Sequence, residues 1–409
     1  MTESALSDVR VLDLTWYIAG PYCTKLLADY GAEVIKVERP GQGDPARSIG
    51  PFLDDEPDIE KSGLFLHLNT NKRSITLNVK SHAGKKILRK LVEQVDIVVE
   101  SFSPRVMPSL GLDYSTLQKA NPSLVLTSIS NFGQTGPYRN YRLSELALNA
   151  MGTSMKMVGQ PDRAPLKLGG NVLQYQAGVL AATATMIALF GSRLTGTGQH
   201  VDVSLLETCL GSMDRRAPYL LAHQYTGQKE ITTRVGGSRG GIMSGCPEGI
   251  YPCKDGYFDV AGGVPWWPRN FALLGSPPEL AGPEFGTAEG QMDTQCQHAI
   301  LAVLYPWAMN RTKTEIWEAA KSARAALAPL YTTEDLVNDP HFRERGFFVE
   351  IEHPRTGRLT YPGAPFRPSE TPAKTPRAAP LLGEHNVEIY CSLGYSREDL
   401  ARLRDAGAI

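Results

Sequence analysis

Residues 9–101 switch repeatedly between short apolar strand patterns and helical ones, and this alternation constrains the fold most. VRVLDL (9–14) reads as a buried strand. The turn TWYIAGP follows, then a helix CTKLLADYG closed by Gly31, then a second strand, AEVIKVE (32–38). SITLNV (74–79), HAGKKILRKLVEQ (82–94) and VDIVVES (95–101) repeat the order strand, helix, strand, and LVLTSIS (124–130) adds another strand. Strands separated by helical crossovers pair in parallel, so the pattern predicts an α/β layer structure with a parallel, Rossmann-like sheet. No GxGxxG follows the first strand, so the phosphate loop of a dinucleotide site is missing.

The stretch Leu168–Leu189, LGGNVLQYQAGVLAATATMIAL, predicts a long helix rich in small residues, with Gln174 and Gln176 at its mouth. VDVSLLE (201–207) is a late strand-to-helix passage. After about residue 225 the chain becomes Gly-rich with short strand patterns, followed by helical segments such as TEIWEAAKSARAAL (314–327). The run HPRTGRLTYPGAPFRPSETPAKTPRAAP (353–380) has too many prolines for a continuous helix, and the segment from about 331 to 380 reads as an extended connection with some strand. The expected organisation is a large domain over 1–224, a smaller α+β domain over 225–330, a linker over 331–380, and a C-terminal return at 381–409. Ser396 is the expected N-cap of the last helix.

With 42 basic and 43 acidic residues, the chain offers no overall charge for nucleic acid or an anionic membrane. The longest apolar runs are read as broken short of a membrane span. Six scattered cysteines without a CxxC, and no visible signal peptide, point to reduced thiols and a cytoplasmic protein. Eight histidines without paired spacing predict no metal site, and His200 and His385 read as ordinary residues. GGSRG (236–240) has the spelling of a nucleophile elbow, but more glycine follows it instead of a helix. It reads better as a loop able to close over a substrate, with Gly240 and Gly241 as candidate backbone contacts.

Lys36, Arg39, Lys72, Arg73, Arg105 and Arg142 follow strands or open loops, where an open α/β sheet binds ligands. Such a set suits a phosphate-bearing ligand. Several longer motifs occur in one order: VRVLDLTWYIAGP, GAEVIKVERPGQGD, NTNKRSITLNVKSHAGK, DIVVESFSPRVMPSLGLDY, SISNFGQTGPYRN, RLTGTGQHVDVSLLE and APLLGEHNVEIYCSLGY. Through them, nearly the whole chain resembles the family III CoA-transferases, the group of formyl-CoA transferase, carnitine CoA-transferase and the methylacyl-CoA racemases.

The resemblance implies a dimer of interlocked rings, each chain having a large Rossmann-like domain, a smaller domain and long linkers. It implies coenzyme A and acyl-CoA as substrates, together with a carboxylic acid, and no covalently bound cofactor. The matching CoA positions are Arg39, Leu68, Lys72, Arg73, Ser101, Phe102, Arg105 and Arg142. Family transferases use an aspartate that is acylated by the donor and then carries CoA as a thioester. Register from TGTGQ places that aspartate at Gln174, whose neutral amide is a poor nucleophile. The racemases pair a histidine with the aspartate, and the histidine position holds Ser144. Glu145 matches an acidic position beside the family's active site; a helix N-terminal carboxylate is the alternative reading.

Three functions are therefore expected, the first ahead of two equal alternatives. The chain is the non-nucleophilic subunit of a heteromer whose homologous partner supplies the aspartate. One subunit of succinyl-CoA:benzylsuccinate CoA-transferase, from anaerobic aromatic degradation, lacks it in this way. Alternatively the chain is self-sufficient and uses another carboxylate such as Glu145, or it performs racemase- or lyase-like chemistry. Ile18 stands where the oxalate enzyme has glutamine, which suggests a larger or less polar acid. Trp16, Tyr17, Trp266 and Trp267 are candidate walls for it.

Overall fold

A computed structural model describes residues 4–159, 163–211, 221, 223–227, 245–373 and 376–409. The chain forms two compact units. The larger comprises Met1–Gly152, Leu168–Ala217 and His341–Ile409; the smaller comprises Thr153–Lys167 and Pro218–Pro340. This partition differs from the expected one. Residues 153–167 and 218–224 belong to the smaller unit, and the expected linker is divided, 331–340 going to the smaller unit and 341–380 to the larger. Strands Phe348–His353 and Gly357–Pro362 pair as an antiparallel hairpin inside the stretch expected to be linker. The prolines that exclude a helix cluster mostly beyond the hairpin, at 365–380, where no described residue lies in a helix or strand.

In the larger unit, six parallel strands lie in the order β3-β2-β1-β4-β5-β6. They are β1 (Arg10–Leu14), β2 (Glu33–Glu38), β3 (Lys72–Thr76), β4 (Ile97–Glu100), β5 (Val125–Ser130) and β6 (His200–Ser204). The α/β, Rossmann-like expectation is thus met. The order reverses between β1 and β4, and the loops leaving neighbouring strands diverge there to open a crevice. Alternation along the strands supplies two cores. Val11, Val34, Val99 and Val125 face helices α1 (Ala19–Asp29) and α7 (Val172–Thr195). Leu12, Ile35, Val98 and Leu126 face α3 (His82–Val92) and the C-terminal helices Asn386–Ser392 and Arg397–Asp405. Ser396 caps the last helix by accepting from Asp399 N at 3.1 Å, as expected.

The helix α7 has the length and composition of a membrane span, contrary to the reading that apolar runs stop short of one. It packs as a core helix along one side: Leu173, Ala177, Ala181, Ala182, Thr185, Ala188 and Leu189 are buried. Small residues let it approach α1 closely. A Cβ on Gly178 would stand 2.7 Å from the carbonyl oxygen of Ala19. The opposite side of α7 leaves Val179, Ile187, Phe190 and Leu194 exposed.

The smaller unit pairs strands Gly249–Cys253, Gly256–Val260 and Leu327–Pro329 in an antiparallel sheet. Its core includes Trp267, which stacks on Phe285 with ring centroids 5.8 Å apart. Trp266 instead receives the Arg269 guanidinium over its ring.

Charges are buried on the α1 side of the sheet. Asp13 on β1, Lys36 on β2 and Lys72 on β3 are all fully buried or nearly so. The Lys72 ammonium lies 3.0 Å from Asp13 Oδ2 and donates to Pro21 O and Asn69 Oδ1. The Lys36 ammonium lies 4.0 Å from Asp13 and 2.7 Å from Asp44. Burial works against the Asp13 carboxylate, but Lys36, Lys72 and two threonine hydroxyls outweigh it and hold the carboxyl far below its ordinary range. Lys36, with two carboxylate partners, is held above the ordinary lysine value despite burial. Lys72 has one carboxylate and neutral acceptors, and burial lowers it to about 8.

Two stability outcomes follow. Gly178→Ala gains roughly 1 kcal/mol of helix propensity but presses a methyl group onto a backbone oxygen, an overpacking cost of roughly 1–3 kcal/mol. Urea unfolding shows a net loss for this variant. Asp13→Asn leaves two ammonium groups sharing what remains, and unfolding shows a loss of about 3–5 kcal/mol. Adding Lys72→Met to Asp13→Asn loses less than the sum of the two single changes.

Candidate functional site

The crevice predicted by the strand order holds a cavity of about 190 Å³. Its walls come from the segment after β1 (Trp16, Tyr17, Ala19), the segment after β4 (Ser101 to Pro104) and the end of β5 (Ile129 to Asn131). Arg139, Tyr141, Arg142, Gln174 and Leu205 complete it. The wall is apolar and aromatic on one part, and hydroxyl, amide and guanidinium on the rest.

The buried ion cluster fixes the first wall. Asp13 Oδ1 accepts from Thr15 N at 2.9 Å, and Lys36 donates to Thr15 O at 3.0 Å. Asp44, already paired to Lys36, accepts from Tyr17 N at 3.1 Å. Tyr17 needs this support because its φ is +75°, a left-handed conformation that is unfavourable for a bulky side chain. Trp16 N donates to Ser101 Oγ at 3.0 Å, tying the loop after β1 to the loop after β4. The Trp16 and Phe102 rings meet edge to face at 5.3 Å, and the Arg39 guanidinium lies 3.9 Å over Trp16. The geometry offers a cation and flat apolar surfaces at the mouth of the cavity.

The second wall is held from behind by Glu100, the last residue of β4, which is 2% exposed and is not itself on the wall. Its carboxylate accepts from Phe102 N at 2.7 Å. Burial lifts its pKa to about 7, against the lowering influence of hydrogen bonds from Ser128 and Phe102 N.

Among the residues assigned to CoA from sequence, Ser101, Phe102 and Arg142 line the cavity. Arg39 stacks on a wall residue, and Arg105 directly follows Pro104 with an exposed side chain. Three are not brought to the cavity. Leu68 is fully buried at the end of helix α2 (Gly63–Leu68). The Lys72 ammonium is engaged by Asp13 and offers no charge to solvent. Arg73 pairs with Glu33, the first residue of β2, and with Glu388, towards the amino-terminal edge of the sheet and away from the crevice. Ile18 is buried and is not on the wall, so it does not shape an acyl pocket directly. Gly240 and Gly241 lie outside the described residues.

Gln174 lies on the wall, in the first turn of α7. Glu145 opens helix α6 (Glu145–Met151) and accepts from Leu173 N at 3.3 Å, so its carboxylate occupies the α7 N-terminus beside Gln174. It is not among the cavity residues. Ser144 caps α6, accepting from Ala147 N at 3.4 Å. His200 bonds Ser128 and His385 accepts from Ser74 N.

Sequence reading missed Arg139, Tyr141, Ser130 and Asn131 as wall residues. A signal for the first two was present: in PYRNYR (137–142), Tyr and Arg recur with a spacing of three. Ser130 and Asn131 gave none, because a strand-end serine and asparagine are common in loops without ligands.

The chain matches CoA-transferase family III over residues 6–386. It is 34% identical to succinyl-CoA--D-citramalate CoA-transferase of Chloroflexus aurantiacus, over 98% of this chain and 96% of that one. It is 32% identical to formyl-CoA:oxalate CoA-transferase of Rhodopseudomonas palustris, over 99% and 97%. A crystal structure of a CAIB/BAIF family protein from Brucella suis superposes with a TM-score of 0.84 and 29% identity, covering 96% of this chain and all of the other. With its crevice, its motifs and these likenesses over nearly its full length, the chain belongs to the family III CoA-transferases and is an enzyme of CoA transfer.

Proposed function

We propose that this chain is the non-nucleophilic subunit of a heteromeric CoA-transferase that moves CoA from an acyl-CoA thioester to a carboxylic acid. One observation carries the reading: none of the fifteen described residues around the cavity is an aspartate or glutamate, and the wall includes Gln174, where the motif register of the family places its nucleophile. An amide oxygen is neutral and does not form the acyl anhydride that a carboxylate forms with a thioester. In the proposed heteromer a homologous subunit supplies the aspartate. That carboxylate displaces CoA thiolate from the donor to form an anhydride, and CoA returns to the aspartyl carbonyl as the donor's acid leaves. The acceptor carboxylate then displaces CoA from the aspartyl thioester to form a second anhydride, and CoA thiolate attacks its acceptor carbonyl, releasing the aspartate and the new acyl-CoA.

The part given to this chain is binding and assembly. Arg139 and Arg142 on the wall, with Arg39 and Arg105 nearby, suit phosphate groups. The Trp16–Phe102 pair suits a flat base. The exposed apolar side of α7, from Val179 to Leu194, supports an interface with a second family III subunit. An interlocked dimer and a cytoplasmic setting remain part of this proposal.

A self-sufficient enzyme has one observation in its favour: the Glu145 carboxylate lies one residue from Gln174 at the same helix end. Its engagement with Leu173 N and its place off the cavity wall favour the heteromer.

The purified chain alone is expected to show no CoA exchange between an acyl-CoA and its free acid, and to gain it on mixing with an aspartate-bearing homologue. Robust turnover by the chain alone sinks the proposal. A Glu145 adduct trapped by hydroxylamine would establish the alternative. Gln174→Asp is expected to raise exchange above background without a partner. For binding, Arg142→Ala weakens CoA by about ten- to a hundred-fold, the loss of one charge-assisted contact of roughly 1.5–3 kcal/mol. Arg142→Lys keeps part of that affinity, and titration calorimetry reads both.

A further inference from the structure

Beneath the cavity, β4, β5 and β6 carry a line of polar groups that the reaction above does not use. Glu100 is in register with Ser128, and Ser128 with Asp202. Their side chains share the face opposite α7. Ser128 is 2% exposed, and its hydroxyl bonds both the Glu100 carboxylate and His200 Nε2, the latter at 2.8 Å. His200 and Asp202 stand on the edge strand, where solvent reaches them. Tyr114 from helix α5 (Tyr114–Ala120) stacks on His200 with centroids 5.7 Å apart. Asp202 accepts from Gln134 N at 2.9 Å.

Glu100 differs from the other buried carboxylates of the sheet. Asp13 faces Lys36 and Lys72, and Glu38 faces Arg47. The influences on Glu100 are burial, hydrogen bonds from Ser128 and Phe102 N, and the negative charge of Asp202; none is a cation. A carboxylate so placed is free to lose or keep its proton near neutrality, and Ser128 with His200 connects it to solvent. The other groups facing it are the His200 imidazole, held below its ordinary value by burial, and the Tyr114 phenol, held above its own.

The bond from Phe102 N to Glu100 is what makes this ionisation matter. Phe102 and its neighbours Ser101, Ser103 and Pro104 form one wall of the cavity, and Ser101 also anchors Trp16. An ionised acceptor holds an N–H roughly twice as strongly as a neutral one. We propose that Glu100 is a positioning residue for acyl-CoA. Its ionised form sets the Ser101–Pro104 wall for the ligand, and its protonated form releases that wall. Acyl-CoA affinity is then coupled to a proton that enters through His200 and Ser128. Among the described residues, the cavity wall itself contains no carboxyl, imidazole, amine or thiol group.

The inference rests on the reading that this cavity takes CoA. Its test is binding of dephospho-CoA to the full chain by calorimetry between pH 6 and 8; this probe lacks the 3′-phosphate that titrates nearby. The wild type is expected to bind at least three-fold tighter at pH 8 than at pH 6. Glu100→Gln keeps an acceptor but not the ionisation, and its affinity is flat across the range. Ser128→Ala removes a donor to the ionised form, so the midpoint of the wild-type profile moves upward.

Stability gives a second readout. Glu100 is raised above its unfolded value of about 4.5. Its burial therefore costs stability progressively as pH rises through the window from there to about 7. Relative to wild type, the Glu100→Gln melting temperature is higher at pH 8 than at pH 5. An unchanged pH profile in folded Glu100→Gln assigns the dependence to His200 and overturns the proposal. Should that variant not fold, a Ser128→Ala midpoint that does not move overturns it, and one that rises supports it. No binding by the wild type at any pH sinks the CoA reading along with this one, whereas binding with a flat profile sinks this one alone.

Discussion

The ion cluster of Asp13, Lys36, Asp44 and Lys72 is the constraint on which the crevice depends. Charges of this kind are expensive to bury, and a hydrophobic replacement of equal volume is often no less stable. What the cluster contributes here is position. Each anion holds a lysine and a backbone N–H of the segment after β1: Asp13 holds Thr15, and Asp44 holds Tyr17. Lys36 holds the Thr15 carbonyl between them. The left-handed Tyr17 and the adjacent Trp16 are thereby fixed at the point where strand order reverses. Trp16 then passes the constraint to Ser101 and Phe102 across the crevice.

The same sheet therefore treats its buried acids in two ways. Asp13 is surrounded by cations and stays ionised at any ordinary pH, which suits a fixed scaffold. Glu100 has no cation and lies near the balance between its two forms, which suits a group that responds. Both reach the cavity through a backbone N–H of a loop that leaves the carboxyl end of a central strand. Geometry is the same; the neighbouring charges decide whether the support is constant or adjustable.

Much of the fold was legible because strand and helix periods differ sharply between residues 9 and 130. The paired elements appear within a few residues of their expected bounds. The small-residue run of α7 was legible for the same reason, and Gly178 shows why it is small: a helix at that distance leaves no room for a side chain. The domain partition was less legible. The hairpin Phe348–His353 with Gly357–Pro362 depends on contacts with distant segments, such as the core that joins Ile351 and Tyr361 to Phe65, and composition does not reveal these. Among the site residues, strand-end position alone did not separate ligand-facing cations from structural ones. Lys72 and Arg142 both looked suitable. Lys72 turns inward because Asp13 lies two strands away at the height its long side chain reaches, a three-dimensional fact without local signature.

On the proposed reading, Gln174 at the mouth of α7 alters more than a nucleophile. A helix N-terminus favours negative charge, and its first N–H groups seek acceptors. Asn171 provides no side-chain cap here, and Glu145 from the neighbouring helix accepts from Leu173 N instead. One carboxylate therefore serves this helix end. An aspartate at position 174 would place a second beside it, where the two negative charges repel. Gln174 removes that conflict. It leaves the Glu145 carboxylate as the acceptor at that helix end and, among the described residues, a cavity wall of arginines, hydroxyls and amides with no carboxylate. A site with that balance attracts a polyanion. On the proposed reading, this is the physical condition under which a subunit can lack the reacting group and keep its part in the reaction.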